Sequence, residues 1–321
     1  MRISVIVPTR NRAQLLAVCV ERIRAQTHPD VEMIVIDDGS EPAQAERNAE
    51  LVRQAGGRYI RLVPPDQRGS GPSVVRNTGI GVASGELVAF CDDDDYWCDP
   101  EFLATAAGAF AAQPTLGLLF GNQEAQAGGT LQYATWQPRL EEALAKRALG
   151  PGPVVPVSKQ ECLVAAGDFA HLNICVLRKS LLDAVGGFDA GLRYCEDMDL
   201  YVRAVDRADA IACLRRTVAI HNVPDRQRQD NASTQVNVRT KNLALQLVAN
   251  RLFVLCAGKE AQDYARRLGA IACRALALDA VARARPDEAL TWAHIGGGWR
   301  QSLRWLAYTQ VLRLRALAGG R

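Results

Sequence analysis

Glu86–Asp95 reads ELVAFCDDDD, and this stretch decides the fold. Glu86–Cys91 is a short apolar run of strand length, and it passes straight into the four aspartates Asp92–Asp95. Four like charges within about 10 Å repel strongly, more so at a sheet end of reduced dielectric. A fold tolerates them where something positive sits nearby. A hard divalent cation such as Mg²⁺ or Mn²⁺ prefers carboxylate oxygens and keeps open positions for substrate phosphates. Alternate side chains of an extended stretch share a face, which lets Asp92 and Asp94 act together. A solvated acidic turn or a structural Ca²⁺ loop is the other reading of the same four residues.

Upstream, strand and helix alternate. Ile3–Thr9 is a β-branched run, and Arg12–Gln26 carries Leu15, Leu16, Cys19, Val20 and Ile23 at helical spacing. Val31–Asp37 (VEMIVID) is the next strand, Ala43–Gln54 a helix, and Arg58–Val63 a third strand. Pro64–Pro72 reads as a loop and Ser73–Ser84 as a helix ended by Gly85. Such alternation with short links implies a mostly parallel sheet flanked by helices. Ligands of such sheets collect beyond the strands' carboxyl ends. The polar ends Thr9–Arg12, Asp37–Ser40 and Asp92–Asp95 are therefore expected to converge on one edge.

Downstream the pattern loosens. Pro100–Ala112 reads as a helix, and Leu116–Asn122 and Leu131–Gln137 as strands. Gly150–Pro156 is a break, Asn173–Leu177 a strand, Glu196–Arg207 an amphipathic helix and Ile211–Ile220 a strand. Beyond about Asn237 the chain is rich in Ala, Leu and Arg with a helical period, splitting near Pro286 and Gly296–Gly298. The expected division is 1–236, with halves 1–98 and 99–236, followed by an all-helical extension, 237–321.

Further groups carry chemistry of their own. Asp37-Asp38-Gly39-Ser40 ends a strand, where an acid either accepts hydrogen bonds from a nucleobase or ribose or caps the next helix. Glu196, Asp197 and Asp199 open a helix, which suits its dipole, and Glu196 or Asp197 also fits a catalytic base. Gly186-Gly187-Phe188-Asp189 is a tight turn just before them. His221 ends the last strand, where a structural histidine and a third metal ligand are both chemically reasonable.

Together these pieces resemble the GT-A glycosyltransferases of the large family two, mostly inverting enzymes that use nucleotide-diphospho-sugars. The resemblance covers about residues 1–230. It rests on VIVPTRNR (Val5–Arg12), VIDDGS (Val35–Ser40), Arg76-Asn77-Thr78-Gly79, SGELVAFCDDDD (Ser84–Asp95), GGFD (Gly186–Asp189) and EDMDL (Glu196–Leu200), in that order. It implies a Rossmann-like, mostly parallel α/β sheet. It places Pro8, Thr9, Asn11 and Arg12 at the nucleotide and Asp38 at the base ring. Arg76 joins the nucleotide-binding set, and Arg68 with Gly69-Ser70-Gly71 becomes a mobile lid over the donor. Asp92–Asp94 matches the D-x-D motif, with Asp94 the best metal ligand and Asp92 or Asp93 facing ribose; Asp92 and His221 are the further metal candidates. Asp197 matches the catalytic base, and Glu196 orients the acceptor or loop. His221 followed by Asn231-Ala232-Ser233 resembles the family's closing stretch. The implied cofactor is Mn²⁺ or Mg²⁺, and the implied reaction is inverting transfer from a nucleotide-sugar, UDP favoured, to a hydroxyl acceptor in bacterial glycan biosynthesis.

Rival readings leave different marks. A nucleotidyltransferase calls for a glycine-rich loop after the first strand, where this chain has Pro8-Thr9-Arg10-Asn11-Arg12. Transfer to a polyprenyl phosphate needs no base, because that acceptor is already anionic. A non-catalytic nucleotide- or carbohydrate-binding module has no use for the retained acids. Trp97, Trp136 and Tyr133 fit either sugar stacking or core packing.

Composition is that of an ordinary globular protein. The 321 residues are 48% hydrophobic and 23% charged, and mean hydropathy is −0.07. A net charge of +3 argues against a nucleic-acid binder. Nine cysteines without a C-x-x-C pair read as buried thiols of a reducing cytosol. The N-terminal apolar stretch is too short for a signal-peptide core, and no run is long enough to span a membrane. The expected location is cytoplasmic, including the inner face of the membrane. Arg283–Arg321 holds seven arginines against Asp287 and Glu288. With Trp299, Leu303, Trp305, Tyr308 and Leu312 at helical spacing, this tail reads as a packing surface, a homodimer seam or a peripheral membrane contact.

Overall fold

In the computed structural model, β1 (Ile3–Thr9) lies parallel between β2 (Val31–Asp37) and β4 (Leu87–Phe90). That central position explains why all three strands read as nearly unbroken apolar runs. Residues 1–148, 150, 152–165, 169–223 and 236–319 are described, with side chains as far as 314 in the last helix. β3 (Arg58–Arg61) adds in parallel to β2. The connections are α1 (Ala13–Arg24), α2 (Pro42–Gln54) and α3 (Pro72–Val82). α1 buries Leu16, Cys19, Val20 and Ile23, the stripe its spacing announces. Pro42 and Pro72 open their helices, where a missing N–H costs nothing. A Cβ on Gly79 would sit 2.4 Å from Ile6, so this glycine lets α3 lie directly on β1. Gly85 is not the helix stop read from the sequence, since α3 ends at Val82. Gly85 instead passes so close to strand β1 that a Cβ would meet the Ser4 nitrogen at 2.7 Å.

The sheet continues through β5 (Tyr96–Trp97), β6 (Leu116–Ala127), β7 (Thr130–Tyr133), β8 (Val154–Val157), β9 (Cys175–Arg178) and β10 (Ala210–Asn222). The order is β3-β2-β1-β4-β9-β6-β10-β5, with β7 on β6 and β8 on β10. β9 runs antiparallel to both β4 and β6, which returns β6 and β10 to the direction of β1–β4. The carboxyl ends of β1, β2, β4 and β10 therefore open on one edge. The helices here are α4 (Phe102–Ala112), α5 (Pro138–Ala145), α6 (Lys179–Val185) and α7 (Glu196–Arg207). Gly150–Pro156, read as a break, overlaps edge strand β8, whose Val154–Val157 pair with β10. An edge strand accommodates Pro156, and its carbonyl accepts from Arg147 at 3.0 Å.

The chain divides into two units, Met1–Asp225 and Arg226–Arg321. The second contains α8 (Val238–Leu255), α9 (Lys259–Ala282), α10 (Pro286–Trp299) and α11 (Leu303–Gly319). Pro286 opens a helix as its residue type suggests, and that helix ends at Trp299, just past Gly296–Gly298, which lie within its last turn. Gly296 is buried with Cys273 3.0 Å from where its Cβ would lie, and Gly269 leaves room for the Trp299 indole. Close packing, not chain reversal, uses these glycines. Among the described residues no helix is long and apolar enough to cross a membrane. Seven of the nine cysteines are buried, Cys98 is exposed and Cys195 is half-buried.

Candidate active site

Position and backbone come first. Thr9 and Asp37 are register partners at the ends of β1 and β2, and the Asp38 N–H donates to the Thr9 carbonyl at 2.9 Å. Asn11 turns the chain with φ +54, a left-handed conformation that asparagine tolerates better than most residues. Its side-chain oxygen accepts from Glu41 N–H at 2.7 Å, while its own N–H donates to Ser40 Oγ at 2.8 Å. The first two strand ends are thereby tied together. Asp37 is fully buried and accepts from Ser40 N–H, Asn48 and Tyr59, so it serves this frame. Asp38 accepts from the Ser70 and Gly71 N–H groups at 2.7 and 3.1 Å, which fastens the loop before α3 over the strand ends.

The four aspartates have four different environments. Asp92 accepts from Arg76 at 2.6 Å. Burial pushes its carboxyl up, but Arg76 and then His171 outweigh that and hold it below the usual range. Asp93 accepts from Thr9 Oγ1 at 2.7 Å and from Arg12 at 3.1 Å, and burial pushes it up to about 6 despite them. Asp94 accepts from Arg12 at 2.9 Å; burial, with the charges of Asp93 and Asp92, raises it to about 6. Asp95 is nearly inaccessible and accepts from Asn173, from His221 Nδ1 at 2.8 Å and from Asn222 N–H at 2.7 Å. The positive charge that the aspartate run calls for is thus partly the protein's own, from Arg12 and Arg76.

Arg76 also reaches across the cleft. One guanidinium nitrogen holds Asp92, and the other donates to Glu196 at 2.7 Å at the start of α7. Burial and the neighbouring Asp197 raise Glu196 to about 7 against that pull, and burial raises Asp197 as well. Cys195, just before them, is held at φ +62, and non-glycine strain of this kind gathers at functional turns. The turn Gly186–Asp189 is anchored from two sides. Asn77 donates to the Phe188 carbonyl and accepts from its N–H, at 2.8 and 2.9 Å. Arg203 donates to the Val185 and Gly187 carbonyls while paired with buried Asp199. The Arg76-Asn77 and Gly186–Asp189 motifs, more than a hundred residues apart, are therefore one structural joint.

The second half of the sheet brings residues that the sequence reading missed. His171 Nε2 lies 4.0 Å from Asp197 Oδ2, and burial holds its pKa below the ordinary value. Its Nδ1 has no hydrogen-bond partner among the described residues. The His171 and His221 rings lie 5.0 Å apart, and Trp136 packs edge-on against both. One ligand atom each from Asp95, His171 and His221 falls within a 4.8 Å cluster. Carboxylate and imidazole donors together suit Mn²⁺ and comparable divalent ions, so the residues present fit the ion that the sequence implied. Asp95 has its oxygens engaged and lies out of reach of solvent, which makes it the orienting partner of His221. His171 carries no spacing signature; only its closeness to Asn173, where the sequence reading began a strand and where the structure has a short turn leading into β9, hinted at a strand-edge position.

The other expected residues fall as follows. Pro8 is half-buried at the end of β1. The Arg68 side chain is 80% exposed and pairs with Asp66. It is Arg193 that holds this loop, donating to the Arg68, Gly69 and Ser70 carbonyls. Trp97 is core, with its indole N–H donated to the Asn173 carbonyl, whereas Tyr133 is exposed on β7. Asn231-Ala232-Ser233 lie outside the described residues.

The fold and its acid-lined edge define a GT-A-like α/β domain. Residues 4–159, just under half of the chain, match the family described as Glycosyl transferase family 2. An uncharacterized glycosyltransferase of Nostoc sp. is 33% identical over 159 residues, 47% of each chain. Glycosyltransferase GlyA of Streptococcus pneumoniae is 34% identical over 104 residues, 32% of this chain and 14% of that one. The chain thus matches about half or less of the length of these relatives. Among solved structures, S. aureus TarS 1-349 in complex with UDP-GlcNAc superposes with a TM-score of 0.67 at 19% identity, covering 92% of this chain and 80% of that one. The mannosyltransferase PcManGT from Pyrobaculum calidifontis, in complex with GDP-Man and Mn²⁺, gives 0.57 at 21% identity, covering 98% and 80%. At these identities the likeness is one of fold.

Proposed function

We propose that this chain is a metal-dependent, inverting glycosyltransferase that moves a sugar from a nucleotide-diphospho-sugar to a hydroxyl acceptor in bacterial glycan biosynthesis. The observation that carries the reading is the Arg76 bridge, which joins the D-x-D aspartates to the acids opening α7. Donor and acceptor groups are thereby fixed relative to each other, which is what a single displacement requires. UDP is the favoured nucleotide, in keeping with the UDP-GlcNAc complex of one structural neighbour; the GDP-Man complex of another makes the base a matter for test.

In this reading Thr9, Asn11, Arg12 and Asp38, with Pro8, frame the nucleotide, and Asp92 or Asp93 faces the ribose. Arg12 sits where it can pass from the carboxylates to the diphosphate. Asp94, Asp92 and His221 would hold the divalent ion, with His171 beside them. When bound, the ion supplies positive charge that stabilises the departing diphosphate. Asp197 takes the proton from the acceptor hydroxyl as its oxygen attacks the anomeric carbon. The bond from that carbon to the diphosphate oxygen breaks on the opposite face, and the electron pair leaves with the nucleotide. One displacement inverts the anomeric centre. Glu196, held by Arg76, keeps the opening of α7 in place. The C-terminal helices serve a peripheral membrane contact or a homodimer, at the cytoplasmic side.

A thermal-shift panel of nucleotide sugars with and without Mn²⁺ tests this. A shift with one donor that grows with metal, and release of nucleoside diphosphate in the presence of a hydroxylic acceptor, are expected. No shift with any donor would sink the reading.

A further inference from the structure

Helix α11 has two apolar faces, and among the described residues one of them is packed and the other exposed. Trp305, Thr309 and Leu312, at i, i+4 and i+7, are buried. They pack with Ala277, Ala280, Ala289 and Ala293 in the core of the helical unit, and the Trp305 indole N–H donates to the Ala293 carbonyl. At 100° per residue the opposite face carries Leu303, Ala307, Gln310, Val311 and Leu314, all exposed. Leu303 is 87% exposed and Leu314 67%. Arg304 flanks one side of this stripe and Arg313 the other. Neither forms an ion pair with an acid among the described residues. Trp305, Tyr308 and Leu312 of the stripe read from the sequence therefore pack inside the unit, whereas Leu303 belongs to a second, mostly aliphatic stripe that faces out.

We propose that this outer face of α11 docks the chain onto an anionic lipid surface. Aliphatic side chains in the middle and arginines on both borders match an acyl boundary beneath a layer of negative headgroups. Arginine stems suit that position because their methylenes follow the apolar layer while the guanidinium stays at headgroup depth. The charge of the unit agrees: residues 226–321 hold 16 Lys and Arg against 6 Asp and Glu. No described helix can cross a membrane, so α11 lies along the surface. This rests on the proposed transferase reading only for its purpose, since the face exists whether or not the cleft is active.

The test is sedimentation of the full chain with phosphatidylcholine vesicles, with and without phosphatidylglycerol. Wild type is expected to pellet with the anionic vesicles alone, and less so in high salt. Arg304→Glu/Arg313→Glu should weaken binding about thirtyfold or more. Leu303→Asp/Leu314→Asp should also abolish pelleting. Both pairs are exposed, so circular dichroism and the UDP-sugar thermal shift should match wild type. Wild type that stays in the supernatant with both vesicle types would overturn the proposal. So would variants that pellet as wild type does, or a concentration-dependent dimer that the leucine variant alone dissolves, which would assign the face to a second copy. Loss of the UDP-sugar shift in wild type would count against the transferase reading and leave the vesicle result standing.

Discussion

Met1–Asp225 contains 22 Lys and Arg against 29 Asp and Glu, a net of −7, while Arg226–Arg321 contains 16 against 6, a net of +10. The whole-chain value of +3 conceals this opposition. The two units also place their charge differently. In the first, Arg76 is buried and committed to Asp92 and Glu196, and Arg203 to fully buried Asp199. In the second, Arg304 and Arg313 stand exposed beside an apolar stripe. Buried, paired charge fixes atoms in place for chemistry, whereas exposed, unbalanced charge meets whatever lies outside.

The largest effect is expected from removing the half-buried acid Asp197 of the first unit. Asp197→Asn should lower kcat by about 10²–10⁴-fold, the range for a lost general base. Donor affinity by calorimetry and melting temperature should stay near wild type. A loss of donor binding instead would place Asp197 on the nucleotide side. Next in size is the arginine contrast. Arg76→Met strands two carboxylates and should cost about 3–5 kcal/mol in urea denaturation at neutral pH. Arg313→Met should stay within about 0.5 kcal/mol. Arg76 holds the Asp92 pKa below its ordinary value, so that stabilisation is present above the unfolded carboxylate range and is lost as pH falls through the folded value. The gap between the two variants should accordingly narrow in acid.

How much of this was legible before the structure follows the same division. The β1–β4 half announces itself because parallel strands buried on both faces leave unbroken apolar runs, and their polar ends stand out against them. Asp92–Asp95, Arg76 and Glu196-Asp197 were all readable as chemistry-bearing groups. What could not be read is which partner each acid takes. Four adjacent aspartates look alike in sequence, yet Asp95 turns into the interior to meet Asn173 and His221. His171 was invisible because its neighbours in space, Trp136, Asp197 and His221, come from three other parts of the chain. In the helical unit the period was clear, but a period does not say which of two apolar faces is inward. Gly296 showed the same limit, since a glycine at a close helix contact looks like a glycine at a break.

Two effects of intermediate size test the cleft. His171→Gln should weaken Mn²⁺ binding about 10–100-fold by calorimetry, the usual cost of disturbing a residue that supports a metal site. Unchanged Mn²⁺ affinity would confine His171 to Asp197 and the acceptor. The pH dependence has a definite sign. Burial and the Asp197 charge raise Glu196 to about 7, so its ionisation opposes folding. Its unfavourable contribution grows as pH rises from the unfolded carboxylate range toward 7, and is constant above that. Activity should run the other way, with kcat/KM falling about tenfold per pH unit once Asp197, raised above the ordinary carboxylate range by burial, takes up a proton. A profile flat down to pH 5 would mean the working carboxylate titrates normally.

The smallest effect concerns the loop over the strand ends. Arg68 was expected at the nucleotide, but its guanidinium pairs with Asp66 on the surface, an arrangement worth about 0–1 kcal/mol. Arg193 instead donates to three successive carbonyls of that loop, while Asp38 accepts two of its N–H groups. Arg68→Ala should therefore leave stability and donor affinity within about threefold of wild type, a fraction of the tenfold that 1.4 kcal/mol represents. Arg193→Ala should weaken donor binding more, because the loop loses its outer fastening while Asp38 still holds the inner one. If Arg68→Ala proves the more damaging of the two, its side chain must swing from Asp66 onto the bound diphosphate. In that case an exposed arginine of the first unit would behave like those of the second, waiting for an anion from outside.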